Sequence, residues 1–82
     1  MGRKHRRRPK RLARKLMTIR KSLELSQTEM AKALELDISY TSVSGYERGA
    51  REPDLIVLLR YARLYGCTME ELVDDKMKLP DR

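Results

Sequence analysis

Two helix-start signals, far apart in the chain, restrict the fold more than any other feature of the sequence. Residues 26–29 (SQTE) and 68–71 (TMEE) each begin with a hydroxyl residue and end with a glutamate. In this capping-box arrangement, the hydroxyl and the carboxylate satisfy backbone N–H groups that a helix start leaves unpaired. Gly49 and Gly66 supply matching stop signals. The chain is therefore predicted to consist of short helices.

Apolar residues recur at helical spacing between these signals, which predicts five helices in one small core. Helix 1 is expected over roughly residues 10 to 23, helix 2 after its box, and helix 3 from a cap at Asp37 or Ser39. Helix 4 is expected to begin at Pro53-Asp54, and helix 5 at the second box. The fold class is compact all-α. The side chains predicted to face the core are Leu12, Leu16, Ile19, Leu23, Met30, Ala31, Leu34, Val43, Tyr46, Leu55, Leu58, Leu59, Ala62, Tyr65, Leu72 and Val73.

Positive charge is concentrated at one end of the chain. Residues 1–21 contain eleven Lys or Arg and no acid, whereas residues 22–82 contain eight bases and twelve acids. These charges, +11 and −4, sum to the +7 of the whole chain. Since the first eleven residues also have few apolar side chains, we expect a flexible basic arm over 1–11. A folded domain over 12–74 and a frayed tail over 75–82 complete the predicted organisation.

Several classes of function lack their usual signatures in this sequence. The single cysteine, Cys67, cannot form an internal disulfide, and no apolar run approaches the roughly 18 residues of a membrane span. No catalytic triad or Gly-rich phosphate loop is recognisable, and His5 has no neighbouring metal ligand. We therefore predict a cytoplasmic, nucleoid-associated protein that is not an enzyme. No metal, cofactor, membrane or small-molecule ligand is expected.

The order of the helices indicates a DNA-binding motif. A capped short helix, a brief turn and a second short helix rich in Ser, Thr and Tyr form the helix-turn-helix plan, in which the second helix enters the major groove. The segments SQTEMAKAL, VSGYERG, REP and LLRYARLYGCTMEEL occur in that order. Together they resemble the Cro/CI-type (xenobiotic-response-element) helix-turn-helix family over Leu16 to Val73. The resemblance implies a compact five-helix phage-repressor-like domain, with helix 3 as the reading helix and helix 2 lying across it.

The resemblance also implies which residues read the bases. They are Tyr40, Thr41, Ser44 and Gly45. None of them is the Arg, Lys, Asn or Gln that usually makes strong contacts to base edges. Two interpretations stay open: Gly45 lets the backbone approach the groove floor closely, or helix 3 reads little and specificity comes from DNA shape or from the basic arm.

Phosphate contacts are implied on both sides of the reading helix. Gln27 stands at the start of helix 2, where it either donates to a phosphate or merely occupies the first turn. Arg48 and Arg51 follow helix 3 in the loop where family members touch phosphates. Because the chain after residue 21 is net negative, the basic arm must supply most of the attraction to DNA. The predicted phosphate ligands are Gln27, Ser39, Arg48, Arg51, Arg6, Arg7, Arg8, Lys10 and Arg11.

Two further features concern the frame that holds helix 3. Arg20 and Glu47 match family positions that form a partly buried structural ion pair. The turn containing ELDIS is about two residues longer than the usual family turn. Either the angle between helices 2 and 3 differs, or the extra residues bulge outward.

The first functional hypothesis is a sequence-specific transcriptional regulator that binds double-stranded DNA, as a monomer or as a homodimer. Its candidate dimer contacts, which could instead close the monomer core, are Leu72, Val73, Met77 and Leu79. The second hypothesis is an antitoxin-like or adaptor protein that binds another protein, which the unusual base-reading residues favour. The third is RNA binding through the basic arm alone. Removal of residues 1–11 would separate the first hypothesis from the third, because only a groove reader keeps its footprint.

Overall fold

The computed structural model describes residues 8–81, and this part of the chain forms five α-helices without a strand. They are α1 (Leu12–Ser22), α2 (Gln27–Leu34), α3 (Tyr40–Glu47), α4 (Leu55–Tyr65) and α5 (Met69–Val73). The all-α, five-helix prediction is confirmed. Residues 1–7 of the expected arm lie outside the described residues, as does Arg82.

The helix starts follow the capping chemistry of the sequence. In the box at 26–29, the serine hydroxyl accepts the glutamate backbone N–H at 3.1 Å, and the glutamate carboxylate accepts the serine N–H at 2.8 Å. The box at 68–71 is closed by two bonds of 2.9 Å. The Asp54 carboxylate accepts the N–H of Val57 at 3.0 Å and so caps α4. These local bonds fix where α2, α4 and α5 begin.

The core takes apolar side chains from all five helices, and α3 packs against both α1 and α2. Leu16, Ile19, Met30, Leu34 and Val43 are fully buried, as predicted. Leu23 and Val73 are half-buried against this core. One consequence is that α3 is held from behind by α1 and α2, while its other side faces outward.

The predicted inward face of α4 is partly wrong. Leu55 is 72% exposed, and Leu59 is only half-buried. The face that enters the core instead contains Val57 and Tyr61, together with Leu58, Ala62 and Tyr65 as expected. The first five positions of α4 are all apolar, so helical spacing alone allowed two registers, and the bulk of Tyr61 in the core selects the observed one.

In the long turn between α2 and α3, exposed residues alternate with half-buried ones. Glu35 and Asp37 point outward in the left-handed backbone conformation, each with φ of 56°. Leu36 and Ile38 between and after them are half-buried and pack against the core. The extra residues therefore do not bulge outward as a unit. Ser39 is the N-cap residue of α3, although neither it nor Asp37 forms a side-chain cap.

The C-terminal segment, residues 74–81, is attached to the domain, so the expectation of a frayed end is wrong for the described residues. The Tyr65 hydroxyl donates to the Pro80 carbonyl at 2.7 Å. Leu79 packs against the core. Lys15, 7% exposed, donates through Nζ to the carbonyls of Glu71, Asp74 and Met77 at 2.8–2.9 Å. A buried cation from α1 thus satisfies the carbonyls that the end of α5 leaves free.

Candidate nucleic-acid interface

Helix α3, which the sequence predicts to read the bases, has a buried side and an outward side. Val43, Tyr46 and Glu47 are buried in the frame behind the helix. Tyr40, 54% exposed, and Thr41 lie on the outward side, and Ser44 is half-exposed. The polar residues predicted at three of the four base-reading positions are therefore on the accessible side of the helix.

The hydroxyl groups of this strip already have short-range partners. Thr41 Oγ1 is hydrogen-bonded to Ser39 Oγ. Ser44 Oγ accepts Nε–H of Arg48 at 3.2 Å. A hydroxyl has one donor hydrogen and two acceptor lone pairs, so Ser44 keeps its O–H for a further acceptor. The internal bonds fix the rotamers without exhausting the hydroxyls.

Gly45 has a different place from the one expected of a base reader. It is buried, and a Cβ added to it would lie 2.9 Å from both Cγ and Cδ of Arg51. The space that a side chain would fill is taken by the aliphatic part of Arg51. The interpretation that this glycine opens the backbone to the groove floor is thus at odds with the structure. Its missing side chain makes room for Arg51.

Arg51 is held over α3 by a second contact. Its Nη1 donates to Ser42 Oγ at 3.3 Å, and Ser42 is buried. The residue as a whole is exposed. The bond to Ser42 uses one of the five N–H donors of the guanidinium, so others can bind a further acceptor. Arg51 therefore presents a cation at a fixed place beside the start of the outward strip.

The ion pair expected between Arg20 and Glu47 is formed and is bidentate. Arg20 Nε lies 2.7 Å from Glu47 Oε2, and Nη2 lies 3.0 Å from Oε1. The Glu47 side chain is 1% exposed and that of Arg20 is 14% exposed. Arg20 also donates to the Leu25 carbonyl at 2.9 Å. The hydrogen bond to Glu47 raises the pKa of the Arg20 guanidinium above its ordinary value. The pair joins α1 to the end of α3.

Gln27 also contacts this pair. Its Nε2 donates to Glu47 Oε1 at 3.2 Å, and the residue is half-exposed at the first position of α2. Its side chain thus has a structural partner. The expected phosphate contact would require the remaining N–H of the same amide.

Tyr61 lies beneath this region as the largest fully buried side chain. Its hydroxyl has no hydrogen-bond partner among residues 8–81. Burial raises the pKa of this phenol well above its ordinary value, and the charge of Glu47 raises it further. Sequence periodicity missed Tyr61 because the competing register of α4 also satisfied the helical spacing.

The described part of the basic arm is tied to the C-terminal segment. The Asp75 carboxylate accepts the backbone N–H of Lys10 at 2.9 Å and that of Arg11 at 3.0 Å. Arg11 Nη1 donates back to the Asp75 carbonyl at 3.2 Å. Arg8, Lys10 and Arg11 have exposed side chains, whereas Arg6 and Arg7 lie outside the described residues. Asp75 and Lys15 were not singled out in the sequence. Lys15 did carry a signal, because it falls on the inward face of helix 1.

The candidate dimer contacts mostly serve the monomer. Leu72 is fully buried, and Val73 and Leu79 are half-buried against the core. Met77 is half-buried, and its carbonyl accepts from Lys15. Leu72 is therefore unavailable to a second chain, and Leu72, Val73 and Leu79 close the monomer core, as one of the two interpretations expected.

No group of three or more His, Cys, Asp or Glu side chains among residues 8–81 is arranged to hold a metal ion. None of the five helices has the length and apolarity required to cross a membrane.

Comparison with known proteins adds to this geometry. A family model described as helix-turn-helix matches residues 16–72. The antitoxin HigA1 of Mycobacterium tuberculosis is 41% identical over 65 residues, in two strains. That match covers 79% of this chain, which spans 42% of the length of the antitoxin.

Two solved structures share the fold. The restriction-modification controller protein C.AhdI from Aeromonas hydrophila has a TM-score of 0.64 and 31% identity, over 76% of this chain and 91% of its own. The P22 c2 repressor protein, solved in complex with a synthetic operator, has a TM-score of 0.69 over 78% and 94% of the two chains. Its 23% identity shows a likeness of fold. With the family model matched over most of its length, the chain belongs to the Cro/CI-type helix-turn-helix family.

Proposed function

We propose that the protein is a sequence-specific DNA-binding transcriptional regulator that places α3 in the major groove of double-stranded DNA. The observation that carries this proposal is the outward polar strip of α3, formed by Tyr40, Thr41 and Ser44, with Arg48 and Arg51 beside it. Hydroxyl groups donate to and accept from base edges, and flanking cations bind phosphates. The strip is held outward by the buried pair behind it, so the helix does not need to rearrange before it binds.

The start of α3 supports a phosphate contact. Ser26, Asp54 and Thr68 cap their helices with side-chain oxygens, whereas α3 has no side-chain cap. The first backbone N–H groups of a helix attract anions when nothing else occupies them. In this proposal, a DNA phosphate takes the place of a cap near Ser39. Gln27, Arg48, Arg51 and the basic arm supply the other backbone contacts, and Arg20 with Glu47 keeps α3 in position.

Sequence selection from random duplex DNA tests this function. We expect an enriched motif for the full-length chain, with two-fold symmetry if it binds as a homodimer. Combined Thr41→Ala and Ser44→Ala substitutions should flatten the preference among sequences by up to ~10-fold, while binding to unrelated duplex changes little. Arg48→Ala, which removes a phosphate ligand, is the matched control and should weaken binding to all sequences alike. Equal losses on every sequence in the Thr41/Ser44 variant would remove α3 as the reader.

The likeness to the antitoxin HigA1 favours a second candidate function, an antitoxin-like module that binds a protein partner. The two functions are compatible, since an interface with a protein can use surfaces other than α3. Co-purification of a toxin-like protein partner, retained in the Thr41/Ser44 variant, would support this candidate. Dissociation of that partner by the same substitutions would place both functions on α3.

RNA binding by the arm makes a different prediction for truncation. Lys10 and Arg11 hold the start of α1 to Asp75, so the informative deletion removes residues 1–7 and leaves those bonds in place. A DNA regulator should keep its footprint with lower affinity and a shallower salt dependence. An arm-only RNA binder should lose most of its nucleic-acid affinity and should give no DNA footprint.

A further inference from the structure

We propose that the cleft between the start of α1 and the α3–α4 loop binds one phosphate of the DNA backbone, with Arg8, Lys10 and Arg51 as its cations and Asp75 as the residue that positions the backbone of Lys10. This inference rests on the proposed function and adds a specific backbone site to it. We call this site the root cleft.

The root cleft brings together cations from two separate parts of the chain, the residues before α1 and the loop after α3. Among residues 8–81, its walls include Arg8, Lys10 and Arg51 and one carboxylate, that of Glu52, so the formal charge of these lining residues is +2. Apolar groups, including Leu12 and Pro53, form part of the lining. Charges beside low-dielectric surface attract an anion more strongly than charges surrounded by water.

The size of the root cleft fits a small anionic group. Its volume is about 280 Å³. Pockets that enclose drug-sized ligands measure roughly 300–1,000 Å³. This volume leaves room for a single phosphate group that remains part of a longer chain. Its position beside Arg51 places it next to the outward strip of α3, where a duplex docked on that strip would pass.

Both sides of the root cleft are fixed before any ligand arrives. Arg51 is held by its packing over Gly45 and by its bond to Ser42. On the other side, Asp75 binds the backbone N–H groups of Lys10 and Arg11. Without these bonds, the residues before α1 would lose their attachment to the C-terminal segment. The backbone just before α1 is thus already ordered in the free protein, which lowers the entropic cost of binding.

Neutralising Asp75 tests the inference through the direction in which DNA affinity changes. Neutralising a carboxylate near a DNA-binding surface normally strengthens binding, because DNA is a polyanion. If Asp75 positions the chain before α1 through the N–H groups of Lys10 and Arg11, the isosteric Asp75→Asn substitution should weaken binding instead. It should lower the magnitude of the slope of log affinity against log salt concentration by up to about 0.9, the value for one phosphate contact. The matched control is Asp81→Asn, which neutralises an exposed carboxylate of the same segment and should leave affinity equal or higher.

The cations are tested with the full-length chain on a random-sequence duplex over a range of salt concentrations. Lys10→Gln and Arg51→Gln should each weaken binding and reduce the salt slope, and together they should lose less than the sum if they share one phosphate. Arg63→Gln, an exposed cation of α4 outside the cleft lining, is the control and should leave the slope unchanged. Thermal unfolding of each variant shows that the fold is retained, and a variant that unfolds is replaced by its Arg-to-Lys or Lys-to-Arg partner, which should restore the slope.

Two results would overturn the inference. One is a rise in affinity for Asp75→Asn equal to that of Asp81→Asn. The other is strict additivity of Lys10→Gln and Arg51→Gln, which would assign them to separate phosphates. Neither result depends on sequence preference, because the duplex is random. The reader role of α3 is tested separately by the Thr41/Ser44 variant, so failure of one idea is distinguishable from failure of the other.

Discussion

Glu47 is a single buried charge that joins the end of α3 to α1 and α2. Its side chain is 1% exposed and receives bonds from Arg20 and Gln27. A buried carboxylate without its cation is strongly destabilising, because its lost hydration is no longer compensated. Arg20, with 14% of its side chain exposed, retains some access to water if its partner is removed. The two members of the pair should therefore respond unequally to substitution.

We expect Arg20→Ala to lower the free energy of unfolding by about 3 kcal/mol or more, and Glu47→Ala to lower it by less. Urea unfolding measures both values. The comparison pair is Arg60 and Glu35, which are 3.7 Å apart with the Glu35 side chain 79% exposed. Glu35→Gln keeps the backbone conformation and should change stability by no more than about 0.5 kcal/mol. A loss in Arg20→Ala as small as this would show that the buried pair contributes little.

Gly45 separates binding from stability at a single position. A Cβ there would lie 2.9 Å from two carbon atoms of Arg51, so that side chain must move. Alanine favours a helix interior over glycine by about 1 kcal/mol, which offsets the cost of that movement. Gly45→Ala should leave the free energy of unfolding within about 1 kcal/mol of the parent. Its affinity for random duplex should fall toward that of Arg51→Ala.

The check on this interpretation is the double variant. If Gly45→Ala acts through Arg51, adding it to Arg51→Ala should cause little further loss of DNA affinity. An independent loss in the double variant would show that the glycine backbone itself contacts DNA, as the rejected interpretation requires.

At the scale of the helices, local chemistry predicted starts better than faces. The two capping boxes act within four residues, so their positions follow from the sequence. The inward face of α4 was harder, because Leu55 and Tyr61 offered alternative registers and the choice depends on packing with other helices. The bonds of Lys15 and Asp75 join residues more than 55 positions apart, beyond the reach of periodicity. Of the candidate site, the polar side of α3 was predictable, whereas the contact of Arg51 with Gly45 needed the tertiary structure.

The turn after α2 contains two residues whose substitution should stabilise the fold. Glu35 ends this helix in the left-handed conformation, with φ of 56°. Residues with a Cβ pay about 1–2 kcal/mol for this conformation, and glycine does not, although glycine gains entropy when unfolded. Glu35→Gly should therefore raise the free energy of unfolding by about 0.5–1 kcal/mol. Asp37→Gly, at the same φ, should gain less because aspartate tolerates the left-handed region better. Equal or reversed gains in thermal unfolding would contradict this explanation.

At the scale of the whole molecule, the two ends of the chain cap each other's helices. Asp75 occupies backbone N–H groups at the start of α1, and Lys15 occupies carbonyls at the end of α5. A negative group at a helix start and a positive group at a helix end both interact favourably with the helix dipole. The arm and the C-terminal segment are thus held by one reciprocal arrangement.

This arrangement predicts an acid response at the start of α1. Hydrogen bonds from Lys10 and Arg11 lower the pKa of Asp75 below its ordinary value of 3.8. A carboxylate with a lowered pKa contributes stability above its unfolded pKa, and that contribution is lost as the pH falls through the lowered value. Chemical shifts of the Lys10 and Arg11 amides should therefore change together below pH 3.8, the ordinary value of this carboxyl. In Asp75→Asn, this shared transition should disappear, while a transition that persists would assign it to another carboxyl.

Lys15 supports the other half of the arrangement, and its removal should be felt at both ends. Lys15→Met keeps an unbranched apolar stem but leaves the carbonyls of Glu71, Asp74 and Met77 without their donor. Losing a charged donor to buried carbonyls costs about 1–3 kcal/mol, partly offset by removing a buried charge. Amide hydrogen exchange should accelerate in residues 74–79 and also at Lys10 and Arg11, since those amides depend on Asp75. Lys21→Met, an exposed lysine of the same helix, is the control and should leave these rates unchanged. Faster exchange confined to the C-terminal segment would show that the two ends are held independently.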